Sequence, residues 1–236
     1  MLVKTKAIVI SALRYQEKSL IVKCFTQAAG LKTYFVRNAF SGKTAQKIAY
    51  FQPLTILEIE AVHKNKGTLE HFKEVRLASA FNAASVDVVK STIILFVSEI
   101  LHHSIREEEK NEDLFGFLET ALHWLDTHED IANFHLILLL ETTKFLGFYP
   151  DVSQTSEPFF EMTEGVFSTY HGISCISESE THLFRRLIAL KFGGDQKIFS
   201  SAERQLLLKI LLDYYSVHLE GFKKPKSLEV LKEVFA

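Results

Sequence analysis

Residues 19–37 read SLIVKCFTQAAGLKTYFVR, and this stretch decides the fold. Ser19–Phe25 is a short run of β-branched and apolar residues, Gly30 suits a turn, and Leu31–Arg37 resumes the extended pattern. Upstream, Lys4–Ile10 (KTKAIVI) alternates polar and apolar before turning apolar. Downstream, Leu54–Val62 (LTILEIEAV) alternates after Pro53, a residue tolerated at a strand start. Thr68–Val75 (TLEHFKEV) follows Asn65-Lys66-Gly67, whose Lys-Gly step fits a hairpin turn. Five short strands so close together predict a small closed or nearly closed barrel. A five-stranded oligonucleotide/oligosaccharide-binding (OB) barrel and an SH3-like barrel both fit the periodicity. Arg37–Lys47 is polar and basic and reads as a loop passing into a short helix.

From about Val86 the apolar period becomes helical. Val86–Ser104 places Val89, Ile93, Phe96, Val97, Ile100 and Leu101 on one face. Asn111 or Asp113 can cap a second helix carrying Leu114, Phe117, Leu118, Leu122 and Leu125. Ile131–Leu146 is apolar nearly all round, as the central helix of a bundle would be, and Gly147 and Pro150 end it. Residues 151–179 are polar and read as a long loop, with a hairpin at Phe159–Tyr170. Helices resume at about Glu180–Phe192, Ser200–Glu220 and Leu228–Phe235, the second opened by the capping-box pattern Ser200-Ser-Ala-Glu203. The fold class is therefore α+β, with a barrel over 1–80 and a helical domain over 81–236.

With 236 residues, 47% of them apolar and only ten Gly and four Pro, the chain is neither disordered nor of low complexity. Cys24 and Cys175 are too few for a disulfide framework or a four-thiolate zinc site, and a reducing, cytoplasmic setting is expected. The N-terminal stretch carries charge throughout, unlike a signal peptide, and apolar runs such as Ile137–Leu140 are far shorter than a membrane span. The charge is divided along the chain. Residues 1–80 hold 13 Lys and Arg against five acids, a net +8, and the rest hold 14 against 24, a net −10. Such a division points the basic half toward a polyanion.

Sequence motifs for catalysis are missing. No Walker loop, dinucleotide fingerprint or nucleophile elbow occurs, and Gly42-Lys43-Thr44 lacks the upstream glycine of a phosphate loop. His102, His103, His123, His128 and His135 fall in expected helices without a zinc-binding spacing. Glu107–Glu109 reads as a solvated charge run. No catalytic residue, metal or cofactor is expected. In the basic half, Tyr15, Phe25, Tyr34, Phe35, Phe40, Tyr50, Phe51 and Phe72 are interleaved with the cations. Single-stranded DNA requires this combination of cations for phosphates and rings for bases, although most such rings should fill the barrel core. Phe40, in the polar loop, is the ring expected to be exposed.

The chain resembles the bacterial DNA recombination and repair mediators of the RecO family, in a Bacteroidetes-like form. The resemblance rests on Arg14-Tyr15-x-Glu17-x-Ser19-Leu-Ile-Val22, Phe25-Thr26, Gly30, Val36-Arg37, Gln52-Pro53-Leu54, Asn65-Lys66-Gly67-x-Leu69 and Glu74-x-Arg76-Leu77. The rear half adds Asn133-Phe134-His135-Leu136, Lys144-Phe-Leu-Gly-Phe-Tyr-Pro-Asp151, His218-Leu-Glu-Gly-Phe222 and Lys226-Ser-Leu-Glu-Val-Leu231. The resemblance implies an OB-fold followed by a helical domain. It also implies a protein that binds single- and double-stranded DNA, anneals complementary strands and, with RecR, helps load RecA onto DNA coated by single-stranded DNA-binding protein (SSB). This chain departs from the pattern twice. Many relatives carry a four-Cys zinc module after the Gly-Phe-Tyr-Pro turn, whereas Asp151–Glu178 holds only Cys175. The basic loop after Val36-Arg37 reads Asn38-Ala39-Phe40-Ser-Gly-Lys43, with fewer cations than is usual.

Arg14, Lys18, Arg37, Lys43, Lys47, Lys64, Lys66 and Lys73 are the candidates for a phosphate track. About five phosphate contacts would give a single-strand log–log salt slope near −3.5, at ~0.7 per contact. Arg185, Arg186 and Lys191 are candidates for the cationic rim of a groove that takes the acidic SSB C-terminal tail. RecR is the other protein partner implied, no membrane is involved, and a cytoplasmic, nucleoid-associated location follows. The competing reading is an OB-fold protein-interaction scaffold without direct DNA contact. A third, a hydrolase built on the His-rich helices, would require a bound metal.

Overall fold

The structure, a computed structural model, describes residues 1–40, 48–64, 69–78, 87–106, 110–194 and 197–235. Five strands form one antiparallel sheet: β1 (Leu2–Tyr15), β2 (Ser19–Thr26), β3 (Gly30–Val36), β4 (Ile56–Val62) and β5 (His71–Leu77), in the order β3-β2-β1-β4-β5. β1 is twice the length expected because it pairs with two partners. Its N-terminal half runs against β4 from Leu2↔Val62 to Ile8↔Ile56, and its later part against β2, from Ala7↔Thr26 to Tyr15↔Ser19.

A register shift between Val9 and Ser11 marks a bulge. One extra residue there reverses which side chains point inward. Before the bulge Ala7 and Val9 face the interior; after it the inward row is Ala12 opposite Val22. Gln52–Thr55 packs against this irregularity, and there the Leu54 amide donates to the Val9 carbonyl (2.7 Å) while the Val9 amide donates to that of Thr55 (3.0 Å). Leu54 takes a left-handed φ of 59° to do so, which is why β4 begins at Ile56 rather than at Leu54.

The sheet curls until its edges meet at one place without closing into a barrel. Tyr34 of β3 and Glu70, just before β5, form a parallel bridge: the Phe35 amide donates to Glu70 (2.9 Å) and the Glu70 amide to Thr33 (2.9 Å). The interior holds Val9, Val22, Cys24, Tyr34, Leu57, Ile59 and Phe51, all buried. Five antiparallel strands followed by six helices among the described residues bear out the expected class, an OB-like sheet and then a helical region.

By packing the chain divides at 127/128, a different place from the change of secondary structure near residue 80. The first unit comprises Met1–Thr127 with Pro225–Ser227. It includes α1 (Val88–Ser104) and α2 (Glu112–Thr127). Asp87 caps α1 by accepting from the Val89 amide (2.7 Å), and Asn111 caps α2 by accepting from that of Leu114 (2.9 Å). Lys90 is buried in α1 and donates to the Asp126 carbonyl (3.0 Å), where the end of α2 favours a cation. The expected Glu107–Glu109 charge run and the link through residues 79–86 lie outside the described residues.

The second unit, from His128, contains α3 (Phe134–Leu146), a hairpin of β6 (Phe159–Glu161) and β7 (Val166–Ser168), α4 (Glu178–Ala189), α5 (Ser201–His218) and α6 (Leu228–Val234). As its apolar circumference predicts, α3 is buried nearly all round, and Gly147 ends it at φ 83°. The expected hairpin is present, but residues 151–179 are more than a polar loop. Phe160 is fully buried and packs against Phe184 (4.9 Å), Phe167 (5.1 Å) and Tyr214 (5.7 Å). Backbone hydrogen bonds from Met162 to Ser174 (3.0 Å) and from Ile176 to Phe160 (3.0 Å) tie the following segment to the hairpin. An aromatic core therefore holds this region.

Candidate nucleic-acid interface

The strand registers place Arg14 opposite Leu20 and Leu20 opposite Val36, so Arg14 and Arg37 emerge at the same end of β1-β2-β3. Lys18 lies in the tight turn joining β1 to β2 at that end, where Gln16 adopts φ 55°. All three cations are exposed, and the one acid among them is Glu17. Arg14 donates to the Glu17 carbonyl (3.0 Å) and lies over the Phe40 ring, 4.8 Å from its centroid. Asn38, at φ 52°, and the buried Ala39 turn the chain after β3 so that Phe40 comes back to Arg14 with 38% of its surface exposed. The exposure expected for Phe40 is thus observed. Tyr15, at 45%, is still more exposed.

Lys64 projects from the far end of β4. Its backbone amide is held by both carboxylate oxygens of the buried Glu70 (2.9 Å each). Next to it, His63 hydrogen-bonds the Tyr34 hydroxyl (2.8 Å) inside the sheet, and burial pushes both the His63 ring down and the Tyr34 phenol up from their ordinary pKa values. The Met1 amino group donates to the His63 carbonyl (2.7 Å). Lys64 therefore stands on a backbone anchored by Glu70, whose own backbone bridges to β3 at Thr33 and Phe35.

Lys73 is placed differently again. Its ammonium is 2.5 Å from Glu60, which also meets Lys4 at 3.3 Å. The hydrogen bond from Lys73 holds the Glu60 carboxyl below the usual range, with Lys4 adding to the effect. The same outer face carries Lys6 paired with Glu119 (2.8 Å) and Arg76 paired with Glu74 (2.7 Å) around a shallow depression of about 340 Å³. With Glu58, four cations meet four acids there among the described residues, so their charges largely offset one another. Lys43, Lys47 and Lys66 lie outside the described residues.

The three cations expected to rim a partner groove are each engaged within the second unit. Arg185 donates to the Glu157 carbonyl (2.7 Å) and lies over Phe167, tying α4 to the hairpin. Arg186 pairs with Glu203 (3.0 Å) and donates to the Ile198 carbonyl (2.5 Å), tying α4 to the start of α5. Lys191 projects and pairs with Glu141 (2.8 Å), which Lys144 also contacts. Among the described residues no group of three His, Cys, Asp or Glu side chains could hold a metal ion, and no helix is long and apolar enough to cross a membrane.

Comparison with known proteins settles the family. The model of the recombination protein O N-terminal region matches residues 1–81, and that of the C-terminal region matches 85–229. The chain belongs to the RecO family. It is 72% identical to the DNA repair protein RecO of Flavobacterium psychrophilum and 65% identical to that of Flavobacterium johnsoniae, each over the full length of both chains. The relative in Bacteroides fragilis is 35% identical, again over both full lengths. The RecO family is one of DNA recombination and repair, as the resemblance implied. The boundary between its two models falls at the end of the five-stranded sheet, so the N-terminal model corresponds to the part of the chain that carries the Arg14–Lys18–Arg37 end.

Proposed function

We propose that this RecO-family chain is a non-catalytic mediator that binds single- and double-stranded DNA, anneals complementary strands and, with RecR, helps load RecA onto SSB-coated DNA. The observation that carries the DNA contact is the end of the sheet where Arg14, Lys18 and Arg37 converge beside the Arg14–Phe40 stack. The strand ends and the tight turn fix the backbone positions from which these cations project, and each phosphate they neutralise releases a counterion. Two strands held in one positive field repel each other less, which lowers the barrier to pairing. The −10 balance of residues 81–236 would repel DNA and suits contacts with proteins instead. Within that region Lys191 is the most exposed of the three candidate rim cations for the acidic SSB tail, with 62% of its side chain accessible. A cytoplasmic, nucleoid-associated location goes with this role.

The test is fluorescence anisotropy of a labelled single strand titrated with the full chain at several salt concentrations. Binding that weakens log-linearly with salt supports the mediator. No binding at low salt would favour the scaffold reading, in which a partner supplies the DNA contact.

A further inference from the structure

The outward face of β1-β2-β3 is covered by helices along only part of its length. Ile8, Ile10 and Phe25 are each 1% exposed or less, and Phe25 packs against Phe115 of α2 (6.0 Å). The cover ends at the row of Ser11, Lys23 and Thr33. The half-buried Lys23 ammonium is pushed below its ordinary pKa by burial and by the nearby Arg106 charge. The next row, Leu13 opposite Ile21 opposite Phe35, has no such helical cover among the described residues: Leu13 is 63% exposed, and Ile21 and Phe35 are half-buried. Three rings continue across it: Tyr15 meets Phe35 edge-to-face (6.1 Å, 81°), and Phe35 meets His71 in the same way (6.2 Å, 82°).

We infer that this strip is a stacking platform for the unpaired bases of a single strand, centred on Tyr15 and Phe35, and that it lets the chain distinguish single strands from duplex. The inference rests on the DNA reading above and adds a ligand for a face that the phosphate track leaves unused. Charge selects the occupant. Lys23 borders the strip on one side and Lys18 and Arg37 stand at its turn end, while Arg14 belongs to the inward row beside them; Glu17 is the single acid of that turn. An apolar strip between cations suits a polyanion that carries planar apolar groups. Duplex DNA offers the same phosphates but keeps its base faces stacked inside, so it can use the cations and not the rings.

The experiment uses the full chain with Tyr15→Ala, Tyr15→Phe and Tyr15→Trp, and a Leu13→Ser variant to alter the strip without removing a ring. Thermal melting confirms that each variant folds. The probes are a labelled thymidine oligonucleotide, an abasic strand of the same length and a duplex. Tyr15→Ala should weaken binding of the thymidine strand at least fivefold, with the salt slope and the abasic and duplex affinities unchanged. Tyr15→Phe should restore binding, and the emission of Tyr15→Trp should be quenched by the thymidine strand but not by the abasic one. Leu13→Ser should weaken the thymidine strand alone, by less than Tyr15→Ala. Equal losses on all three probes, or no loss on the thymidine strand, would overturn the platform and leave the strip as a protein-docking face. If the unaltered chain binds none of the three probes, the DNA reading itself fails and this inference falls with it.

Discussion

Removing Arg14, Lys18 and Arg37 together should change the salt dependence of DNA binding by an amount set by the structure. The three side chains stand at one end of the sheet, exposed and on well-anchored backbone. Each phosphate contact contributes ~0.7 to the single-strand log–log slope, so Arg14→Ala, Lys18→Ala and Arg37→Ala combined should flatten it by about 2 units. Between about 50 and 200 mM salt, the unaltered chain should then lose about 20-fold more affinity than the triple variant. Lys73→Ala is the matched control. Lys73 belongs to the same basic half but is neutralised by Glu60 at 2.5 Å, so its removal should leave the slope unchanged. Anisotropy titrations at four or five salt concentrations read both slopes. The reasoning is refuted if the triple variant keeps the original slope, or if Lys73→Ala flattens it by a full contact.

Gly165→Ala should destabilise the second unit by ~2–4 kcal/mol. Gly165 sits at φ 69°, which costs a non-glycine residue ~1–2 kcal/mol, and an added Cβ would lie 2.4 Å from the Tyr214 hydroxyl, displacing it from the Phe148 carbonyl that it reaches at 2.8 Å. Urea unfolding measures the loss, and Tyr214→Phe should shrink the additional cost of Gly165→Ala. Stability should also depend on His135, whose pKa burial pushes down to about 3, with Arg204 adding to the effect. The folded chain keeps this ring neutral while the unfolded chain protonates it near 6.5, so its contribution is full above pH ~6.5 and falls by ~1.4 kcal/mol per pH unit as the pH drops toward 3. His135→Leu should remove that part of the slope in unfolding curves between pH 7 and 5, and an identical slope in the variant would count against it. Because an aromatic core built on Phe160 orders residues 151–179, a metal chelator should leave the melting temperature unchanged, whereas Phe160→Ala should cost ~3–5 kcal/mol.

The local signals were legible in the sequence. Alternation located β1 and β4, a β-branched apolar run and the Gly30 turn located β2 and β3, the Lys66-Gly67 step pointed to β5, Gly147 ended α3, and Ser200-Ser-Ala-Glu203 capped α5 as a box. The same box at Ser177–Glu180 opens α4 but sits within a Ser- and Thr-rich run that reads as loop. The exposed strip was hidden for a different reason. The bulge after Val9 shifts the phase of alternation, so no fixed period-2 pattern could assign Leu13 and Tyr15 to the outside. Charge counting identified the basic half but could not see pairing across strands. Nothing in the spacing of Lys73 and Glu60 shows that they neutralise each other, just as nothing in the Arg185-Arg186 pair shows that one reaches the hairpin and the other α5. The ordering of residues 151–179 depends on Phe160 meeting Phe184 and Tyr214, which only the tertiary fold brings together.

The most direct test of the central claim is strand annealing followed by fluorescence resonance energy transfer between two labelled complementary oligonucleotides, with the full chain and with its Arg14→Ala, Lys18→Ala, Arg37→Ala variant. The account predicts that the full chain accelerates pairing and that the folded variant does so weakly or not at all. Pairing no faster with the full chain than without it, or equally fast with the variant, would contradict a mediator that works through this end of the sheet.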